Sequence, residues 1–421
     1  MDLESGTLGP VIHTDWWKKH VRYSTFNRQG IDIFCASFVH AKAKGNVVFV
    51  TGWNESFLKY AELIKTLFDA GFSVFTYDHQ SQGLSGRWLM EEQSTWIYSF
   101  DDYVLDLIFF VNMIESGEGG SSGSGGGMGV GTGAPGAGGK GFTDAKTGDT
   151  PVKKPRSESL SEKPKLPLYV VSHSMGGLIT GIAMARMPSL VRRACLSAPA
   201  FRYKCGMKAL DYKGPLPLPV AYLINWCASY MGMGQMPLLG FFREDPHEPV
   251  TKQLSSDNEQ LELQRQLRIK HPSIISCCGT YDWCLHGFDA QEAFAKVYSS
   301  VRANCLIFKA EDAGSDVFVH NRAIDMFAAT APAVKLFDVP GAKHEVLLES
   351  RPARAAVYET IVEFFNQDSD SVTGVTARKP LKLRDPKVHI IYCRQPTPLN
   401  VVLTPIANTP TTTDATTPRP R

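Results

Sequence analysis

The chain has 421 residues, 43% of them hydrophobic, which is enough for one large core with additions. Lys and Arg total 44 against 42 Asp and Glu, so the formal charge of +2 builds no field that would recruit nucleic acid or an anionic membrane by itself, and no nucleic-acid partner is expected. The nine cysteines are odd in number, and their one cluster (Cys277, Cys278, Cys284) lacks a second pair at zinc-ligand spacing, so they read as buried thiols and no metal is expected.

The opening MDLESGTLGP is acidic and has no apolar run, unlike a secretory signal, and a cytoplasmic location is the expectation. Residues 46–51 (NVVFVT) form a β-branched run ending at Gly52. After it, 56–70 place Leu58, Ala61, Ile64, Leu67 and Phe68 at helical spacing. The same alternation returns with strands at 72–77, 168–171 and 193–197 and a helix at 177–187. It resumes with strands at 305–308 and 334–339 and a last helix at 352–365, whose Val357, Ile361 and Phe365 share one face. Apolar strands alternating with helices predict an α/β fold, a mostly parallel central sheet with helices on both faces.

The alternation lapses in the middle, where 200–302 turns aromatic, Met-rich and broken by Pro, as an inserted helical cap would be. Within it 216–242 comes nearest to a membrane span, but Pro217, Pro219, Gly232, Gly234 and Pro237 interrupt any helix of spanning length. The expected organisation is a first core half at 20–199, the cap at 200–302, a second core half at 303–367 and a tail at 368–421. The first half carries a Gly-rich insertion at 116–165. Insertion and tail are both too poor in apolar residues to offset their ordering entropy, although 388–392 could pair as an edge strand.

Residues 169–177 (YVVSHSMGG) run from a strand straight into a helix with Ser174 at the vertex, the form of a nucleophile elbow. So tight a turn needs small residues two before and two after the serine, and Ser172 and Gly176 supply them, Ser standing where Gly is usual. A serine hydroxyl needs an adjacent base, and the base needs a group that fixes its tautomer. On such a fold the acid follows one late strand and the histidine follows the next. The loop AEDAGSDVFV offers Asp312 and Asp316; Asp316 is preferred because Val317, Phe318 and Val319 anchor it into the core, and Asp312 stays open. His344, in PGAKHEVLLE, follows the final strand. His173 sits next to the serine, but neighbours on a strained turn point apart, so it is expected to pack beside the elbow. With Leu348 where a second His would be needed, His344 and Glu345 do not form a zinc-protease motif. The backbone N–H groups of Met175 and Trp53 are the expected oxyanion donors.

These stretches, together with TGWNESFLKYAELIKTLFDAGFSVFTYDHQSQGLSGR, FDDYVLDLIFF, SAPAF and GTYDW, resemble the lysophospholipase and monoacylglycerol lipase branch of the α/β-hydrolases, over most of 20–366. Thr51 stands where related enzymes often have His. The resemblance implies Ser174, Asp316 and His344 as the catalytic triad, an oxyanion loop at Gly52 and Trp53, and cofactor-free hydrolysis of a single acyl chain from a glycerol or glycerophosphate backbone. The small lipid substrate would be held by Trp226, Met233 and Phe241, within a Met- and aromatic-rich segment that equally suits a plain core under the cap. Transient membrane-surface contact through the cap is a further expectation. Two rival readings stand beside it: a small-peptide amidase resembling proline iminopeptidases, with Glu244, Asp245 and Glu248 holding a free amine, and a non-catalytic scaffold of the same fold.

Overall fold

The computed structural model describes residues 14–117, 165–204, 217–239, 243–276, 278–311, 316–367 and 391–392. A short helix α1 (Asp15–His20) leads into the antiparallel pair β1 (Val21–Arg28) and β2 (Ile31–Phe38). Gln29 and Gly30 join the two strands with φ of 54° and 90°, the positive values that a two-residue turn needs to follow the strands' twist. Then come β3 (Asn46–Val50), a 3-10 turn (Phe57–Tyr60), α2 (Ala61–Asp69), β4 (Ser73–Tyr77) and the short β5 (Ser94–Thr95). α3 (Phe100–Ser116) begins at a capping box made by Ser99 and Asp102 and stops at Gly117, which is left-handed. β6 (Leu168–His173), α4 (Met175–Arg186) and β7 (Arg193–Ser197) follow.

Beyond β7 lie α5 (Leu218–Ala228) with its π-turn (Ser229–Met233), α6 (Asn258–Lys270), β8 (Cys278–Gly279) and α7 (Tyr281–Ala295). The chain closes with β9 (Asn304–Ala310), α8 (Asn321–Thr330), β10 (Val334–Val339), α9 (Arg351–Phe365) and β11 (Ile391–Tyr392). Among the described residues, nine strands form one sheet in the order β1-β2-β4-β3-β6-β7-β9-β10-β11, parallel from β4 to β10 and antiparallel at both edges. This is the α/β-hydrolase architecture expected from the alternation of strands and helices.

The period-two alternation of each central strand divides the core between two faces. Val48, Val50, Val170, Ala194 and Ile307 point to the face covered by α3, α4 and α7. Val47, Phe49, Val171, Cys195 and Phe308 point to the face covered by α2 and α9. The parallel strands therefore end together at one carboxyl edge, where the loops after β3, β6, β9 and β10 meet.

The sequence left β1 and β2 unassigned, although Ile31, Ile33 and Cys35 alternate toward the core. The region expected as a cap is not of one kind. Trp283 and Phe294 of α7 join the core beneath α3 and α4, with the Trp283 indole donating to the Tyr103 hydroxyl at 3.2 Å. Phe294 lies so close to Gly181 that a Cβ there would stand 2.5 Å from its ring. Residues 281–295 thus belong to the helical layer of the sheet, because their aromatics are needed to fill it. Within the tail, Ile391–Tyr392 pairs with β10; the Gly-rich insertion and the rest of the tail lie outside the described residues. Among the described residues no helix is long and apolar enough to cross a membrane.

Candidate active site

Ser174 occupies the turn between β6 and α4 with φ 50° and ψ −118°, a strained conformation held from three sides. Its N–H donates to the Ser197 carbonyl at 2.9 Å, and its own carbonyl accepts from Gly177 and Ala200, each at 2.9 Å. The turn can close because Gly176 has no side chain: a Cβ there would lie 2.3 Å from the Thr51 carbonyl oxygen and 2.5 Å from that of Val50. The small residue that the motif demanded is therefore demanded by β3 passing underneath.

The loop after β10 delivers His344, whose Nε2 is 2.9 Å from the Ser174 Oγ and whose Nδ1 is 2.9 Å from Asp316 Oδ2. Asp316, wholly buried, comes from the loop after β9. Its other oxygen accepts the N–H groups of Phe318 at 2.9 Å and Val319 at 3.1 Å, and the Lys204 ammonium donates to its carbonyl. Burial alone would raise the Asp316 carboxyl, but His344 and the two amides outweigh it and hold it below the usual carboxylate range. An ionised Asp316 fixes a proton on Nδ1 and leaves Nε2 free to accept the serine's proton. Asp312 lies outside the described residues.

His173 is buried beside this run, its ring centroid 4.9 Å from that of His344, as the strained turn predicted. Burial, then the neighbouring His344 and Lys59, push its pKa well below the ordinary histidine value, so it packs as a neutral ring. Phe318 covers His344 from another side at 5.0 Å.

Met175 is the first residue of α4 and fully buried. The loop after β3 comes close enough that a Cβ on Gly52 would be 3.0 Å from the Ser174 Cβ. Trp53 is held there by its indole, which donates to Thr95 Oγ1 at 3.2 Å and lies 5.0 Å from the Trp283 ring. Asn54, at φ 60°, donates its N–H to Gln82 and accepts from the Ser276 N–H, each at 2.8 Å. The arrangement therefore brings a base, its orienting acid and a hydroxyl into one chain of hydrogen bonds beside a rigid loop, the apparatus of acyl transfer.

The expected substrate residues fare differently. Trp226 is 47% exposed and stacks on the still more exposed Tyr230 at 5.5 Å, rather than on any residue of the Ser174 site. An acyl-pocket role for it finds no supporting contact: α5 turns Ala221, Asn225 and Ala228 inward and leaves Trp226 on the outer side. Met233 is half-buried in the π-turn, and Phe241 lies outside the described residues. What the sequence reading missed is a buried polar cluster behind the site, Glu55, Lys59 and Glu345. The four-residue spacing of Glu55 and Lys59 was its only local signal. Among the described residues no group of three or more His, Cys, Asp or Glu could hold a metal ion.

A family model described as serine aminopeptidase, S33, matches residues 41–129 and 156–351. Lysophospholipase L2 of Escherichia coli (strain K12) is 24% identical over 368 residues, covering 86% of this chain and 91% of the relative. Among solved structures, a soluble variant of monoglyceride lipase from Saccharomyces cerevisiae is similar, with a TM-score of 0.56 and 14% identity over 86% of this chain and 98% of that one. The monoacylglycerol lipase of Paleococcus ferrophilus gives a TM-score of 0.53 and 17% identity over 79% and 97%. At these identities the two structures speak for the fold.

Proposed function

The chain belongs to the serine aminopeptidase S33 family of α/β-hydrolases, and from that premise we propose that it is a carboxylic ester hydrolase acting on monoacyl lipids, lysophospholipid or monoacylglycerol, through an acyl-enzyme. The observation that carries the reading is the unbroken run Asp316–His344–Ser174, 2.9 Å at each step. His344 Nε2 takes the hydroxyl proton as Ser174 Oγ bonds to the ester carbonyl carbon, and the oxyanion that forms is received by the N–H groups of Met175 and Trp53. The C–O bond to the leaving alcohol then breaks, and His344 returns its proton to that alcohol. In the second half, His344 takes a proton from water, the hydroxide attacks the acyl carbon, and Ser174 leaves with the proton as the fatty acid is released.

Support for a lipid comes from the relatives' names and from the outer face of α5. Val220, Leu223, Ile224 and Trp226, followed by Tyr230 and Met231, are all more than a third exposed. A contiguous apolar face of this kind suits transient contact with the lipid aggregate that supplies the substrate. A cytoplasmic location is part of the same reading, and the free thiols of Cys35, Cys195, Cys227 and Cys305 agree with a reducing compartment.

A peptidase reading needs a free acidic group to hold the substrate's amine, and two of the three expected candidates are engaged. Glu244 pairs with Arg268 at 2.6 Å, and Asp245 accepts the His247 N–H at 2.8 Å. Purified protein should release fatty acid from a monoacylglycerol or from lysophosphatidylcholine and leave an N-terminal proline anilide intact. Turnover of the anilide alone would overturn the proposal.

A further inference from the structure

Behind the elbow lies a set of buried charges with no part in the proton path. Glu55, Lys59 and Glu345 have side chains exposed by 5%, 8% and 2%. The Lys59 ammonium bridges Glu55 Oε1 at 2.5 Å and Glu345 Oε1 at 2.6 Å. Each carboxylate uses its second oxygen elsewhere. Glu55 Oε2 accepts the Gly52 N–H at 2.5 Å, and Glu345 Oε2 accepts the Gln264 amide of α6 at 2.6 Å. The Tyr60 hydroxyl adds bonds of 2.9 Å to both oxygens of Glu55. Burial alone pushes the Lys59 ammonium down, but the two carboxylates overcome that and hold it above its ordinary value, so the cation is fully charged.

The placement of the two carboxylates matters more than their number. Glu55 holds the N–H of the Thr51–Gly52 peptide and Gln82 that of the Trp53–Asn54 peptide, so the peptide that carries the Trp53 N–H sits between two anchored ones. Glu345 is the residue after His344, and its backbone N–H is itself tied to the Leu254 carbonyl at 2.8 Å. The two loops are 286 residues apart in sequence between Lys59 and Glu345, yet one ammonium spans them. Buried ion pairs add little net stability compared with an apolar replacement, because desolvation cancels most of the attraction. They do fix geometry, since each partner becomes costly to move. An oxyanion hole works only when its donors meet the developing charge at hydrogen-bond distance, and a base only when it meets the hydroxyl.

We propose that Lys59, with Glu55 and Glu345, is a positioning clasp that locks the oxyanion loop onto the His344 loop, so that the Trp53 N–H and His344 Nε2 are aligned on the same carbonyl. The clasp rests on the reading of Ser174 as nucleophile. None of its three members touches the reacting atoms; they act through Gly52 and through the chain at His344.

The test compares wild type, Glu55→Gln, Glu345→Gln, their double variant, Lys59→Met and Lys59→Arg. It reads the rate of inactivation by a fluorophosphonate, which reports on nucleophile and oxyanion hole whatever the natural lipid, and kcat and KM on p-nitrophenyl butyrate. Circular dichroism shows which variants are folded. The single Gln variants should react roughly tenfold to a hundredfold more slowly, as expected for a small misplacement of reacting groups, with the loss in kcat and not in KM. Because both act through Lys59, the double variant should fall within about threefold of the slower single variant, and Lys59→Arg should recover most of what Lys59→Met loses. If Lys59→Met does not fold, the near-isosteric Gln variants decide. Folded Gln variants that react at the wild-type rate, losses confined to KM, or effects that multiply in the double variant overturn the clasp. A wild-type protein that the probe never labels overturns the nucleophile and the clasp together, whereas a labelled wild type with equally reactive variants overturns the clasp alone.

Discussion

Two segments that read as equally apolar end in opposite surroundings. From Leu168 through Met184 every residue but Ser174 is buried, whereas in α5 only Ala221, Asn225 and Ala228 are. α4 is buried all round because β6 leads into it, β3 runs beneath its first turn, and α3 and α7 flank it. α5 packs against α7 on one narrow stripe of small residues and shows the rest of its apolar surface to solvent. Hydrophobicity alone therefore says that a helix needs a partner; the topology decides whether the protein itself supplies it. In the first segment the partner is the core, and the rigidity gained holds a strained serine. In the second, no element among the described residues covers the exposed apolar surface, the one proposed to meet a lipid phase.

The sharpest way to break that comparison is to remove chemistry from the rigid segment without disturbing its packing. Ser174→Ala should abolish turnover, with a loss on the order of a millionfold in kcat, while the melting temperature is kept or raised because the hydroxyl is not needed to hold the turn. Residual esterase activity well above that floor would mean that another group is the nucleophile. Asp316→Asn should lower kcat about ten-thousandfold by leaving His344 in the wrong tautomer. It also has a signature in stability. The folded Asp316 carboxyl is held below its unfolded value, so the stabilisation it brings is full above the ordinary carboxyl range, about pH 4, and is lost as pH falls through the folded value. Acid unfolding of Asp316→Asn should accordingly be less steep below about pH 4, measured by circular dichroism against wild type.

How much of this was legible beforehand follows the same division. Where a residue's role is set by its neighbours in sequence, the reading was close. The strands at 46–50, 73–77, 168–173, 193–197, 304–310 and 334–339 carry their own short apolar runs, and the elbow announces itself by small residues around Ser174. The order of acid and histidine after successive late strands led to Asp316 and His344, which the coordinates put within hydrogen-bond reach of each other and of Ser174. Where a role depends on contacts far apart in sequence, it was invisible. Nothing in KHEV announces that Glu345 meets Lys59, and Trp283 in GTYDW looks like a cap aromatic until α7 is seen beneath α3. Trp226, expected to hold the substrate, lies on the outer side for a related reason: periodicity in α5 cannot tell an inner from an outer apolar face when both are apolar.

A smaller but still large effect is expected from packing alone. Gly176→Ala introduces a Cβ 2.3 Å from one backbone oxygen of β3's end and 2.5 Å from another, neither of which can rotate away. Destabilisation of about 3 kcal/mol or more should follow, read by urea denaturation, with activity falling because Ser174 is displaced. Gly232, in a left-handed conformation but with open space around it, is the control; Ala there meets only backbone strain, on the order of 1 kcal/mol. Equal losses at the two glycines would erase the distinction between the enclosed segment and the exposed one.

The least costly change to the fold should fall on α5. Leu223 is 57% exposed and Trp226 47%, so replacing both with Ser should alter stability by no more than about 0.5 kcal/mol, the usual range for surface positions away from special features. An Ile179→Ala change in α4, where the side chain is fully buried, should instead remove roughly 2–5 kcal/mol. On lipid the ranking reverses. Burying a side chain the size of Leu or Trp contributes about 1.5–3 kcal/mol, so loss of the pair should weaken partitioning onto phosphatidylcholine vesicles at least tenfold, even if each is only partly inserted. Cosedimentation measures this directly. A double variant that unfolds more readily while binding vesicles as before would show that the outer face of α5 is covered by protein and not by lipid, and the contrast with α4 would then be one of degree.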